Sequence, residues 1–92
     1  MSLLDKSELD KYSTEIKGWD FFDKKIFKEF VFKNFSDALS FTLQVGIESE
    51  KKDHHPDICL HSWNKVNITL STHSQGGITK KDIELAKIID EL

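Results

Sequence analysis

Residues 65–72 read KVNITLST, and their alternation decides the fold: Val66, Ile68 and Leu70 take every second position, with Asn67, Thr69 and Ser71 between them. Strict alternation is the period of a strand with one buried and one wet face, so a half-buried strand is expected from Lys65 to Thr72. Downstream, Gly76-Gly77 marks a turn. Thr79, with Asp82 three positions on, forms a capping box that starts a last helix. Ile78 and Ile83 flank that start as a hydrophobic staple, and Ile83, Ala86 and Ile89 share one helical face.

Upstream, the stretch from Asp57 to Trp63 is short and half apolar and reads as a second strand, introduced by Pro56. Pro56 closes a helix expected to be capped by Ser36 and Asp37 and to run to about Lys52, with Ala38, Thr42, Val45 and Ser49 along one face. Leu39, Phe41 and Ile47 widen its apolar surface, which suits either contact with a second subunit or cover for the sheet of the same subunit. From Trp19 to Lys33, aromatic and β-branched residues flank Asp23, Lys24 and Lys25, the pattern of two strands and a tight turn. A first helix is expected over residues 7–17, capped by Ser7 with Asp10, carrying Leu9, Tyr12 and Ile16, and stopped at Gly18. The order α-β-β-α-β-β-α predicts an α+β two-layer fold, a four-stranded antiparallel sheet with three helices packed on one face, in a single domain over residues 1–92.

A chain of 92 residues has room for one core. A domain this small buries only roughly 60–65 % of its unfolded surface, so a homodimer is expected. The formal charge of −3 supplies no broad basic field, which argues against direct nucleic-acid binding. Charges interrupt every hydrophobic stretch short of the roughly 18–20 apolar residues of a membrane span. Cys59 is the sole cysteine and MSLLDKSELD lacks the features of a secretory signal, so a cytoplasmic location is expected, with Cys59 as a buried strand residue.

All four histidines lie between Glu50 and Asp82. His54 and His55 stand where a helix gives way to a strand, and antiparallel pairing of the two following strands would bring His73 beside them. Imidazole, with an ordinary pKa near 6.5, both takes and gives protons at neutral pH, so such a cluster suits general acid–base catalysis. Glu50 and Asp53 could orient an imidazole, or simply form a solvated helix end. A metal site is the competitor, but adjacent His54 and His55 point to opposite sides of an extended segment, and no second cysteine or H-x-x-x-H pair is present. Asp82 has a full structural explanation as a capping residue. Trp19 and Trp63 read as core, and His61 as outside the site.

Together these residues form Glu50-x3-His54-His55-Pro56-x6-Trp63-x9-His73-x8-Asp82. The array resembles the signature of the pterin-4a-carbinolamine dehydratases, and KDHHP, WNKVNITLSTHS, GGITKKDIELA, Gly18-Trp19 and FVFKNFSDALSF extend the resemblance over nearly the whole chain. It implies dehydration of 4a-hydroxytetrahydrobiopterin to quinonoid dihydrobiopterin in tetrahydrobiopterin recycling, with no metal or organic cofactor. On the same basis His54 and His73 are the acid–base pair and His55 a third member of the cleft. Glu50, Asp53, Thr72 and Asp82 would line or orient it, and Trp19 would pack beside the ligand. The resemblance further implies a homodimer or homotetramer, and a helical protein partner of the kind some vertebrate members bind. The family pattern allows five or six residues between the Pro and the aromatic position; the six here predict a bulge between Asp57 and Trp63.

Overall fold

The computed structural model describes residues 2–92, and KVNITLST forms its central strand, β4 (Lys65–Leu70). Before it come α1 (Lys6–Glu15), β1 (Asp20–Phe22), β2 (Lys25–Val31), α2 (Phe35–Lys51) and β3 (Asp57–His61); a short 3-10 turn (His73–Gln75) and α3 (Lys80–Asp90) follow. The strands lie in the order β1-β2-β4-β3, every neighbouring pair antiparallel. This is the expected α-β-β-α-β-β-α arrangement, with the helices on one face of the sheet. Val66, Ile68 and Leu70, with Ile26 of β2, are fully enclosed and pack in one core with Ala38, Phe41 and Val45 of α2 and Ile83, Leu85, Ala86 and Ile89 of α3.

The strand alternation also decides Cys59. Ile58 and Leu60 turn inward toward the core, so Cys59 faces outward with Asp57 and is exposed rather than buried. The expected bulge is absent: pairing runs unbroken from Asp57 opposite Thr69 to His61 opposite Lys65. The slack goes into the loop over residues 62–64, where Ser62 and Trp63 take left-handed backbone angles (φ 49° and 59°) and Trp63, expected in the core, stands 60 % exposed at the tip.

Two helix starts and one turn differ from the sequence reading in detail. Leu4 donates its backbone N–H to Ile78 and Leu3 bridges Thr79, which holds the chain extended up to Asp5, so α1 begins there. Asp5 and Glu8 form the capping box, and the Ser7 hydroxyl donates to Asp5 instead of capping with Asp10. The Glu8 backbone N–H, and after it the Ser7 hydroxyl, hold the Asp5 carboxyl below its ordinary pKa. Asn34, not Ser36 or Asp37, caps α2, its side chain accepting from the Asp37 N–H at 2.7 Å. Only α3 starts as expected, on the Thr79–Asp82 capping box.

On α2 the buried residues are Ala38, Phe41, Val45 and Ser49. The wider apolar surface is a separate ridge at four-residue spacing, Phe35, Leu39, Leu43 and Ile47, each between 48 and 66 % exposed.

The turn between β1 and β2 holds two residues, because Phe22 pairs with Lys25 and Lys25 belongs to the strand. Asp23 and Lys24 both have positive φ (49° and 67°), the backbone of a type I′ hairpin turn. A lysine side chain is strained there, so Lys24→Gly is expected to stabilise the fold by about 0.5–1 kcal/mol. Urea titration should show a higher midpoint with an unchanged slope.

Candidate functional site

The C-terminal exit of α2 places the first histidine. Asp53 adopts a left-handed conformation (φ 49°), its N–H reaching the Glu50 carbonyl, while the His54 N–H reaches back to the Ser49 carbonyl. This pair of bonds is a Schellman motif with Asp53 in the position usually given to glycine. Asp53 is exposed and has this structural task. Because the motif fixes the backbone through His54, the imidazole is turned inward and the residue is only 8 % exposed.

What it meets is the start of α3. Asp82 is 0 % exposed, and its Oδ1 lies 2.5 Å from His54 Nε2. Its Oδ2 accepts the Thr72 hydroxyl and the Thr79 backbone N–H, each at 2.9 Å. Thr72 is carried just past the end of β4 and pairs with Gly77 across the 3-10 turn, whose closing Gly76 has φ 70°. Leaving a carboxylate in a core without partners is costly, and here every bond it accepts comes from a different piece of chain. Asp82 therefore joins three segments: the exit of α2, the end of β4 and the first turn of α3.

The remaining sequence-predicted residues divide by location. Thr72 joins His54 and Asp82 in the buried network. His55 points outward, as its neighbour's inward turn requires, and pairs in solvent with Glu50 at 2.8 Å. His73, next in the chain to Thr72, opens the exposed 3-10 turn. β3 and β4 stop at Asp57 and Leu70, short of His55 and Thr72, but antiparallel pairing still sets the His54 and Thr72 ends side by side. Trp19 stands apart. It is 5 % exposed in the core, edge-on to Phe30, and its indole N–H donates to Asp90 at 3.0 Å. Asp90 is eight positions along α3 from Asp82, roughly 12 Å of helix. The structure thus sets Trp19 at the far end of α3 from His54.

Sequence reasoning missed Thr79 as part of this network. Its hydroxyl lies 2.8 Å from that of Thr72, and the signal was its place in the capping box. His61 lies elsewhere, bonded to Glu29 across the outer sheet face at 2.5 Å. An open cavity of about 260 Å³ is also elsewhere, lined by Phe32, Asp37, Ser40, Phe41, Gln44 and Leu92. Among the described residues no three of His, Cys, Asp and Glu gather closely enough to hold a metal ion.

Comparison with known proteins agrees with the α+β fold. The model of the family described as "Pterin 4 alpha carbinolamine dehydratase" matches residues 2–92. A relative from Prochlorococcus marinus that carries the same family's name is 47 % identical over 92 residues, covering 100 % of this chain and 96 % of its own length. The crystal structure titled a transcriptional coactivator/pterin dehydratase from Brucella melitensis superposes with a TM-score of 0.91 at 36 % identity, over 98 % of this chain and 97 % of the other. A pterin dehydratase-like protein identified as a RuBisCO assembly factor in the alpha-carboxysome shares the fold, at a TM-score of 0.70 and 24 % identity over 82 % of this chain and 88 % of its own.

The two carboxylates that bond histidines should differ sharply in energetic weight. Asp82→Ala strips acceptors from Thr72, Thr79 and His54 inside the core and is expected to cost about 2–4 kcal/mol. Glu50→Ala breaks an exposed pair and should cost no more than about 0.5 kcal/mol. Denaturant unfolding of the two variants beside the parent measures both.

Proposed function

The chain belongs to the pterin-4a-carbinolamine dehydratase family, and from that premise we propose that it converts 4a-hydroxytetrahydrobiopterin to quinonoid dihydrobiopterin as a step of tetrahydrobiopterin recycling. The reaction is an elimination. The bond from the ring carbon to the 4a-hydroxyl breaks, the hydroxyl leaves as water with an added proton, and a ring nitrogen gives up its proton. One group must donate and another accept. Histidine serves both purposes near neutral pH, and positioned acid–base catalysis is worth roughly 10²- to 10⁴-fold in rate.

The observation that carries the reading is the buried bond between His54 and Asp82, a protonatable ring held rigidly on a fixed carboxylate. In the proposed assignment His54 and His73 exchange protons with the pterin. His55, with Glu50 beside it, Asp53 and Thr72 contribute to the same site, and Asp82 orients His54. Trp19, its indole N–H held by Asp90, would pack beside the ligand. The setting proposed is cytoplasmic, with no nucleic acid bound directly.

The α2 ridge of Phe35, Leu39, Leu43 and Ile47 favours a second, compatible reading. Four large apolar side chains at four-residue spacing match the surface by which helices pair, so a homodimer or homotetramer, or a helical protein partner, is proposed at that face. Leu43→Lys should then lower the mass of the assembly in sedimentation; a parent protein that sediments as a monomer and captures no helical partner defeats this reading.

Loss of the absorbance of the 4a-hydroxy intermediate measures the reaction. His54→Ala and His73→Ala are each expected to lower turnover by about 10²-fold or more while leaving a folded protein. Turnover equal to the parent in both variants would sink the assignment.

A further inference from the structure

Hydrogen positions around Asp82 follow from counting donors. The Thr72 hydroxyl has one proton, directed to Asp82 Oδ2. Its oxygen, 2.8 Å from that of Thr79, must therefore accept, and the Thr79 hydroxyl must donate. Thr79 in turn accepts the Lys81 backbone N–H at 3.3 Å. The result is a one-way chain from Lys81 N–H through Thr79 and Thr72 to Asp82, with Thr72, Thr79 and Asp82 all buried. Oδ2 receives a second donor, the Thr79 backbone N–H. With both donors on Oδ2 the carboxylate acts as an acceptor, so its other contact, His54 Nε2 at 2.5 Å, is a donor.

We infer that the Thr79–Thr72 relay locks Asp82 as an acceptor and His54 in the Nε2–H tautomer, so that His54 exchanges its catalytic proton through Nδ1 alone. A neutral imidazole carries one proton, and with that proton on Nε2 the lone pair of Nδ1 is free. Taking a proton at Nδ1 makes an imidazolium whose charge faces the Asp82 carboxylate, and giving it back restores the starting ring. Nε2–H stays on Asp82 throughout. Thr79, until now only the cap of α3, becomes a positioning residue for His54. The proton-exchange role rests on the dehydratase reading; the tautomer does not.

Asp82→Asn tests the lock directly. The two donors at Oδ2 demand an oxygen there, so the Asn amide nitrogen must face His54 Nε2, which can then only accept. The ring proton is forced to Nδ1, the same trap that the Asp-to-Asn change sets in a serine protease triad. Nitrogen-15 NMR of ring-labelled protein, without ligand, should show neutral His54 protonated at Nε2 in the parent and at Nδ1 in Asp82→Asn. In the parent, acidification should add the second proton at Nδ1. Turnover of Asp82→Asn should fall about 10²- to 10⁴-fold with little change in KM. Thr79→Val should lower kcat by about twofold to tenfold at constant KM, and Thr79→Ser should restore it.

A parent ring protonated at Nδ1 overturns the inference whether or not any variant folds. So does an Asp82→Asn variant that keeps Nε2–H, and a Thr79→Val variant with the parent's kcat removes Thr79 from the relay. Parent protein with the expected tautomer but no dehydration of the carbinolamine would leave the lock standing and refute the proposed activity instead.

Discussion

A carboxylate without exposed surface has to find donors inside the protein, and the demand of Asp82 organises both the fold and the site. Its three bonds draw on a helix exit, a strand end and a helix start, contributed by His54, Thr72 and Thr79. Each donor is positioned by backbone hydrogen bonding of its own: the Schellman motif before His54, the Thr72–Gly77 bridge, and the N-terminal cap of α3. Side-chain freedom is thereby small in every partner, and low freedom is what a group that must meet a substrate in one geometry requires. The capping role and the orienting role of Asp82 do not compete, because Oδ2 serves the first and Oδ1 the second.

Where the signal is periodic, the sequence was readable. The alternation of Val66, Ile68 and Leu70 placed the central strand, and the same rule applied to Ile58 and Leu60 would have turned Cys59 outward. Adjacency told as much about His54 and His55, which do face opposite ways. Helix starts were harder because several short patterns overlap: Ser7–Asp10 and Asp5–Glu8 both read as capping boxes, and only the tie of Leu3 and Leu4 to Ile78 and Thr79 decides between them. That tie is between residues far apart in the chain, and no local pattern reveals it. Trp63 was misread for a related reason, since hydrophobicity favours the core while the loop over residues 62–64 leaves it no core to enter.

The site was legible in composition and only partly in geometry. Histidines near a helix end pointed to acid–base chemistry, yet the chain alone could not say that Asp82 reaches His54 rather than serving solely as a cap. Trp19 is read as core from its hydrophobicity, and the structure gives its indole Asp90 and Phe30 as neighbours. Lys28 bonds the same carboxylate at 2.8 Å. The two ends of α3 are thus anchored by separate polar clusters, one at Asp82 and one at Asp90.

Anchoring Asp82 in α3 also ties the orientation of His54 to the docking of that helix. His54 and Asp82 are 28 positions apart, and the four strands are complete before α3 begins. A molecule with α3 undocked would keep every histidine and the Schellman bonds at His54 but lose the bond from His54 to Asp82. Docking of α3 therefore completes the orientation of His54, and a ligand that engages the oriented ring would in turn stabilise the docked helix.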